Sequence, residues 1–174
     1  MSVLEFDQRS RRARRLGVRL ILIYTLLAGA AFAADDPGGW SKAKWGMNEI
    51  QLADAFGADL IHTGDPSKAI HLAVDVALAD VPFRAELALD KDGKLAHVLL
   101  TPRRDKDADE FLFEHLQDAL VLKYGRPWKS TAGHSTKYQW SFPATSITLS
   151  IFQDKELGAC MISLSYDRRA DDSL

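Results

Sequence analysis

Ser41-Lys42-Ala43-Lys44 matches S-x-x-K, the nucleophile motif of penicillin-binding enzymes. The partner motifs S-D-N and K-T-G are absent, and Ser41 precedes the first helix cap by several residues. The pattern therefore reads as a chance match. The histidines, His62, His71, His97, His115 and His134, form neither H-x-x-x-H nor H-E-x-x-H. No pair lies one helical turn apart with a carboxylate in register, so each reads as a surface or rim residue and no metal site is expected. Asp90-Lys91-Asp92-Gly93 opens like a calcium loop, but Lys94, Leu95 and Ala96 follow where acidic ligands would be needed. That segment reads as a hairpin tip. Cys160 is alone, which rules out an internal disulfide, and its alternating surroundings suit a buried, inert thiol. Neither a catalytic residue nor a cofactor is expected.

Recognition chemistry is more promising. Of four tryptophans, Trp45 abuts a helix and Trp140 alternates inward, so both belong to the core. Trp40 and Trp128 lie in loop context, where a large apolar surface needs a reason. Trp128 is flanked by Arg126 and Lys129, a cluster that suits an acidic or aromatic-bearing partner. The structural alternative is that Trp128 folds back over the end of the sheet. Trp40, Arg126, Trp128 and Lys129 are thus the candidate binding residues.

The elements that must carry them can be read from periodicity. Asn48 with Gln51 forms a capping box, Met47 and Leu52 are spaced as a hydrophobic staple, and Gly57 ends the helix. Ile70 to Leu78 and Phe83 to Leu89 then alternate with period two, each with one buried face. A loop at Asp90–Lys94 returns into a third strand, roughly Leu95 to Thr101. Asp107 with Glu110 predicts the start of a longer helix to Tyr124, with Phe111, Leu112, Leu116, Ala119 and Leu120 as its apolar stripe. Three more strands follow at about Thr136–Phe142, Thr145–Phe152 and Cys160–Asp167. Both halves read helix, aromatic-Gly stop, loop, three strands, and the intervals from stop to first strand are 13 and 11 residues. The expected fold is α+β and two-layered: an antiparallel sheet of about six strands with two helices on one face, in the order α-βββ-α-βββ.

The first 33 residues carry a different message. The basic stretch Arg9 to Arg15 leads into an apolar run from Leu20 to Ala30, and Ala31-Phe32-Ala33 supplies the small residues of an A-x-A cleavage site. The cut is expected after Ala33, with Ala31 and Ala33 in the peptidase pockets. From Leu20 to Ala34 there are 15 positions, short of the roughly 20 that a spanning helix needs. The arginine pairs lack the apolar residues that a twin-arginine signal wants soon after them. Three regions are expected: a cleavable signal at 1–33, one domain at 34–167, and a flexible tail at 168–174. Cleavage removes six of the 22 basic residues and two of the 24 acidic ones, taking the formal charge from −2 to −6. That balance argues against nucleic acid and anionic lipid as partners. The location implied is periplasmic or secreted, with no stable membrane insertion after cleavage.

Trp45-Gly46-Met47-Asn48, the Phe56-Gly57 stop and Lys123-Tyr124-Gly125-Arg126-Pro127 together carry a resemblance. The chain resembles a family of small exported bacterial proteins, many of unknown function, with W-G-M-[ST] opening one helix and Y-G-x-P ending another. Their architecture is similar to the β-lactamase-inhibitor-like fold, which also houses small outer-membrane assembly lipoproteins. Asn48 stands where Ser or Thr is commoner, and the lipoprotein cysteine is missing. The resemblance implies a binding or scaffolding module, and no catalytic residue carries over. The function expected is a non-catalytic module for a protein partner in the cell envelope; the alternative is a module for a small apolar ligand.

Overall fold

The computed structural model describes residues 34–64, 68, 70–154, 156 and 158–169, apart from the Lys106 side chain. The expected signal and its cleavage residues Ala31 and Ala33 lie outside the described residues.

The first helix, α1 (Glu49–Phe56), forms as its caps dictate. The Asn48 side chain accepts from the Gln51 N–H at 2.9 Å, and the Asn48 N–H donates to Gln51 Oε1 at 3.0 Å. The second, α2 (Glu110–Tyr124), begins from Asp109, whose carboxylate accepts from the Leu112 N–H at 2.7 Å. The expected cap, Asp107, lies instead in a 3-10 turn and pairs with Arg104 at 2.9 Å. The helix therefore presents a stripe of Leu112, Phe113, Leu116, Leu120 and Tyr124 to the core. Phe111, expected in that stripe, is 73% exposed, and Ala119 is exposed beside it. The i, i+4 series from 112 to 124 outweighs the alternative series from 111.

Among the described residues ten strands form. A small hairpin joins β1 (Gly39–Trp40) to β2 (Ala43–Lys44). Gly39 has φ 149°, and a Cβ there would lie 2.1 Å from the Ala43 carbonyl oxygen, so only glycine fits. The remaining strands are β3 (Leu60–His62), β4 (Ile70–Leu78), β5 (Val81–Leu89), β6 (Leu95–Pro102), β7 (Trp128–Ala132), β8 (Ser135–Ser141), β9 (Thr145–Asp154) and β10 (Ala159–Arg168). They make one antiparallel sheet in the order β3-β4-β5-β6-β10-β9-β8-β7. The expected sheet of six thus has eight strands. The two extra, β3 and β7, occupy the intervals between each helix stop and the next strand. Each half is a helix followed by a four-strand meander, and the meanders join where β10 pairs with β6.

Inward side chains of the sheet and the buried faces of both helices form one cluster that includes Phe83, Leu87, Leu100, Leu149 and Leu164. Burying each such side chain contributes about 1.5–3 kcal/mol. One departure from alternation is instructive. Ile70 pairs with Ala88 but Leu72 pairs with Leu87, leaving His71 as the extra residue of a bulge. The bulge turns Ile70 outward, to 44% exposure, and buries His71. His71, expected at the surface, is held by the Lys68 carbonyl at 2.7 Å and Glu49 at 3.2 Å, and His62 faces the same carboxylate at 3.6 Å. Arg168 and Arg169, expected in a flexible tail, are held by the sheet instead: Arg168 pairs with Thr145, and the Arg169 guanidinium donates to the Phe142 carbonyl at 3.0 Å.

The turn between β4 and β5 is made by Ala79 and Asp80, at φ 49° and 62°. Left-handed backbone costs a residue with a Cβ about 1–2 kcal/mol. Replacing Ala79 by Gly should therefore stabilise the domain by about 0.5–1 kcal/mol after glycine's own entropy cost. Ala77→Gly, in the extended strand, should destabilise it by a similar amount, and urea midpoints of the two variants check the opposite signs.

Candidate functional site

The segment 34–44, the β4–β5 turn, β10 and the flank of α2 border an open cleft of about 900 Å³. Its walls are apolar: Trp40 from β1, Val76 and Leu78 from β4, Leu116 and Leu120 from α2, and Leu164 from β10. A volume of that order matches sites that hold a drug-sized molecule. Ser41 and Ala79, both on the lining, have positive φ values of 54° and 49°. Such strained residues concentrate at ligand clamps and active sites.

Polar groups sit at defined places in this cleft. Tyr166 and Tyr124 share a hydrogen bond, and burial with the neighbouring Tyr124 pushes the Tyr166 phenol well above its usual range. Tyr166 therefore stays a neutral hydroxyl. Lys44, Lys123 and His115 are solvent-exposed lining residues, and so form its rim. Lys44 Nζ donates to the Pro37 carbonyl at 3.2 Å, and Lys123 Nζ lies 5.0 Å from the Tyr124 ring centre. The S-x-x-K residues thus lie on a tight hairpin, with the lysine turned toward Pro37.

Asp36 fixes the wall made by the N-terminal segment. Its carboxylate accepts from the Gly38 N–H at 2.8 Å, the Thr145 hydroxyl at 2.6 Å and the Ala144 N–H. Trp45 Nε1 donates in turn to Thr145 Oγ1 at 2.8 Å, so a chain of hydrogen bonds crosses from residue 36 to the β8–β9 turn and back to residue 45. Burial works to raise the Asp36 carboxyl, but the donors from Thr145, Ala144 and Gly38 outweigh it and hold it below the usual carboxylate range.

The sequence-derived candidates are separated by the fold. Trp40 is buried, stacked on Phe56 with centroids 6.2 Å apart, and is a wall of the cleft rather than an exposed loop residue. Trp128 is 65% exposed and lies in edge strand β7, not in a loop. It pairs with Gln139 on the sheet face away from the helices. Alternation sends Lys129 to the other face, where its Nζ lies 5.2 Å from the Tyr138 ring centre and it shares a small hollow with Glu110 and Glu114. Trp128 and Lys129 therefore form no joint cluster, and Arg126 is exposed ahead of the strand. The face that Trp128 borders is rich in hydroxyls: Thr101, Ser163, Ser165, Ser146, Thr148 and Ser150 come from three adjacent strands. Ser150 and Ser163 bond across it at 2.7 Å. Cys160 is partly buried, and burial with the nearby Asp109 and Glu110 raises its thiol pKa. A raised pKa works against thiolate chemistry.

No family model and no curated protein matches the chain. A solved structure, that of a DUF4309 family protein (YjgB) from Bacillus subtilis subsp. subtilis str. 168, is similar at 8% identity and a TM-score of 0.44, covering 79% of this chain and 88% of that one.

The Asp36 network has a pH signature. A carboxyl held below its unfolded value of 3.8 contributes stability above that value and loses it as pH falls through the folded value. Asp36→Asn puts an amide NH₂ where N–H groups must be accepted and should cost about 1–3 kcal/mol at neutral pH. Urea denaturation from pH 7 to pH 3 should show a constant gap down to about pH 5 that starts to narrow below about pH 4.

Proposed function

We propose that the protein is an exported, non-catalytic binding module that holds a small apolar molecule between α2 and the sheet. The observation that carries this reading is the cleft itself, about 900 Å³ with apolar walls contributed by four separate elements. One of its polar groups is already committed to structure: Asp36 is occupied by three donors from its own chain. The basic, apolar and small-residue order of 1–33 supports a periplasmic or secreted location. No helix among the described residues is long and apolar enough to cross a membrane. The resemblance in Trp45-Gly46-Met47-Asn48 and Tyr124-Gly125-Arg126-Pro127 points toward a binding module as well.

Native mass spectrometry of the protein taken from the exported fraction should show a retained small molecule. The neutral probe N-phenyl-1-naphthylamine should brighten on binding the emptied protein. Ala119 lines the cleft from an exposed position on α2, so Ala119→Trp should narrow it and weaken probe binding without lowering the thermal midpoint. Unchanged probe binding by that variant overturns the reading.

A second reading, an envelope protein partner on the uncovered sheet face, is favoured by the 65% exposure of Trp128. Aromatic side chains presented in this way are common binding hot spots. Trp128→Ala should leave the thermal midpoint within a degree or two of the parent while weakening crosslinked capture of one partner from envelope fractions. A fall of many degrees would make Trp128 structural instead.

A further inference from the structure

We infer that the cleft takes a single-tailed amphiphile whose head is an anion, a carboxylate or a phosphate; this rests on the small-ligand reading above and names its chemical class. The argument starts from unneutralised charge. Lys44 and Lys123 line the cleft, and among the described residues no carboxylate lies within ion-pair distance of either ammonium. Lys44 uses one donor on the Pro37 carbonyl and retains two. Lys123 Nζ lies 5.0 Å from the centre of the Tyr124 ring, a contact that leaves its charge without a carboxylate counter-ion. His115, on the same flank of α2, is the third basic lining residue.

Two carboxylates also line the cleft, and they do not cancel this. Asp36 spends its oxygens on Gly38, Thr145 and Ala144. Asp35 is solvent-exposed beside Ala34. Were the chain cut after Ala33, as its sequence leads us to expect, Ala34, itself a lining residue, would carry an α-ammonium adjacent in sequence to Asp35. The net result is an open, mostly apolar cleft lined by two lysines that have no carboxylate partner among the described residues. A neutral hydrocarbon would satisfy the walls but leave those groups to water alone. An amphiphile satisfies both at once, with its tail along Val76, Leu116, Leu120 and Leu164 and its head at Lys44 and Lys123.

The emptied full domain, loaded with N-phenyl-1-naphthylamine, distinguishes the alternatives by displacement. Dodecanoate and dodecyl phosphate should displace the probe at roughly tenfold lower concentration than dodecanol, and dodecylamine should be weakest. The acid-to-alcohol ratio should shrink with added salt and fall close to one in Lys44→Gln/Lys123→Gln, with the thermal midpoint retained. Equal displacement by acid and alcohol in the parent, or an undiminished ratio in the double variant, overturns the anionic head while leaving the cleft reading intact. Failure of the probe to bind at all overturns both. A membrane headgroup as the source is separated by flotation. If the protein rises with vesicles containing phosphatidylglycerol but not with pure phosphatidylcholine, and dodecanoate does not compete, the single-tailed ligand is overturned. Absence of flotation together with dodecanoate displacement supports it.

Discussion

The pairing of β6 with β10 is the contact on which the rest of the molecule depends. Each half of the chain makes a helix and a meander, and neither meander alone offers more than four strands to cover one helix. Pairing Leu100 with Leu164 and Val98 with Tyr166 joins the last strand of one half to the last strand of the other. These four side chains are all buried, so the junction lies in the middle of the core rather than at its margin. Sequence separation makes this contact costly to form, because loop closure must precede the burial that rewards it. Once formed, it brings β10 under the flank of α2 and places Leu164 and Tyr166 on the floor of the cleft.

Alternation and capping were legible in the chain because both are local. The Asn48–Gln51 box, the inward sets of β5 and β9, and the Asp90–Lys94 turn depend on neighbours within a few residues. The α2 start was misread because Asp107 and Asp109 are both good caps, and only packing against the sheet selects between them. The edge strands were missed for a different reason. Trp128-Lys129-Ser130-Thr131-Ala132 has no apolar face, since an edge strand has a partner on one side only and little to bury. His71 shows a third kind of limit: its burial follows from a one-residue bulge, and a bulge reverses every face assignment on one side of it.

The tryptophans show why exposed aromatic residues are harder to place than core ones. Trp40 and Trp128 both stand among turn-forming neighbours, and nothing local separates them. Trp40 is drawn inward because Gly39 lets the β1–β2 hairpin close tightly against Phe56. Trp128 stays outward because its cross-strand partner is Gln139, on the hydroxyl-bearing face. Adjacent residues of a strand point to opposite sides, so the apparent cluster of Trp128 with Lys129 dissolves as soon as the segment is extended. Proximity along the chain suggested a site, and the secondary structure removed it.

The cleft was invisible in the sequence because it is a remainder, set by what the helices fail to cover. Eight strands spaced about 4.8 Å apart span roughly 34 Å, whereas two helices of about 10 Å diameter cover only some 20 Å of that width. The residues from Ala34 to Trp45 close part of the difference, tied down through Asp36, Thr145 and the Trp45 indole. Small side chains at Ala77, Ala79 and Ala119 line the part that remains open. A larger residue at any of the three would narrow it without touching the core. The cleft is open to solvent, so its apolar walls are wetted, and covering them with apolar surface would release that water.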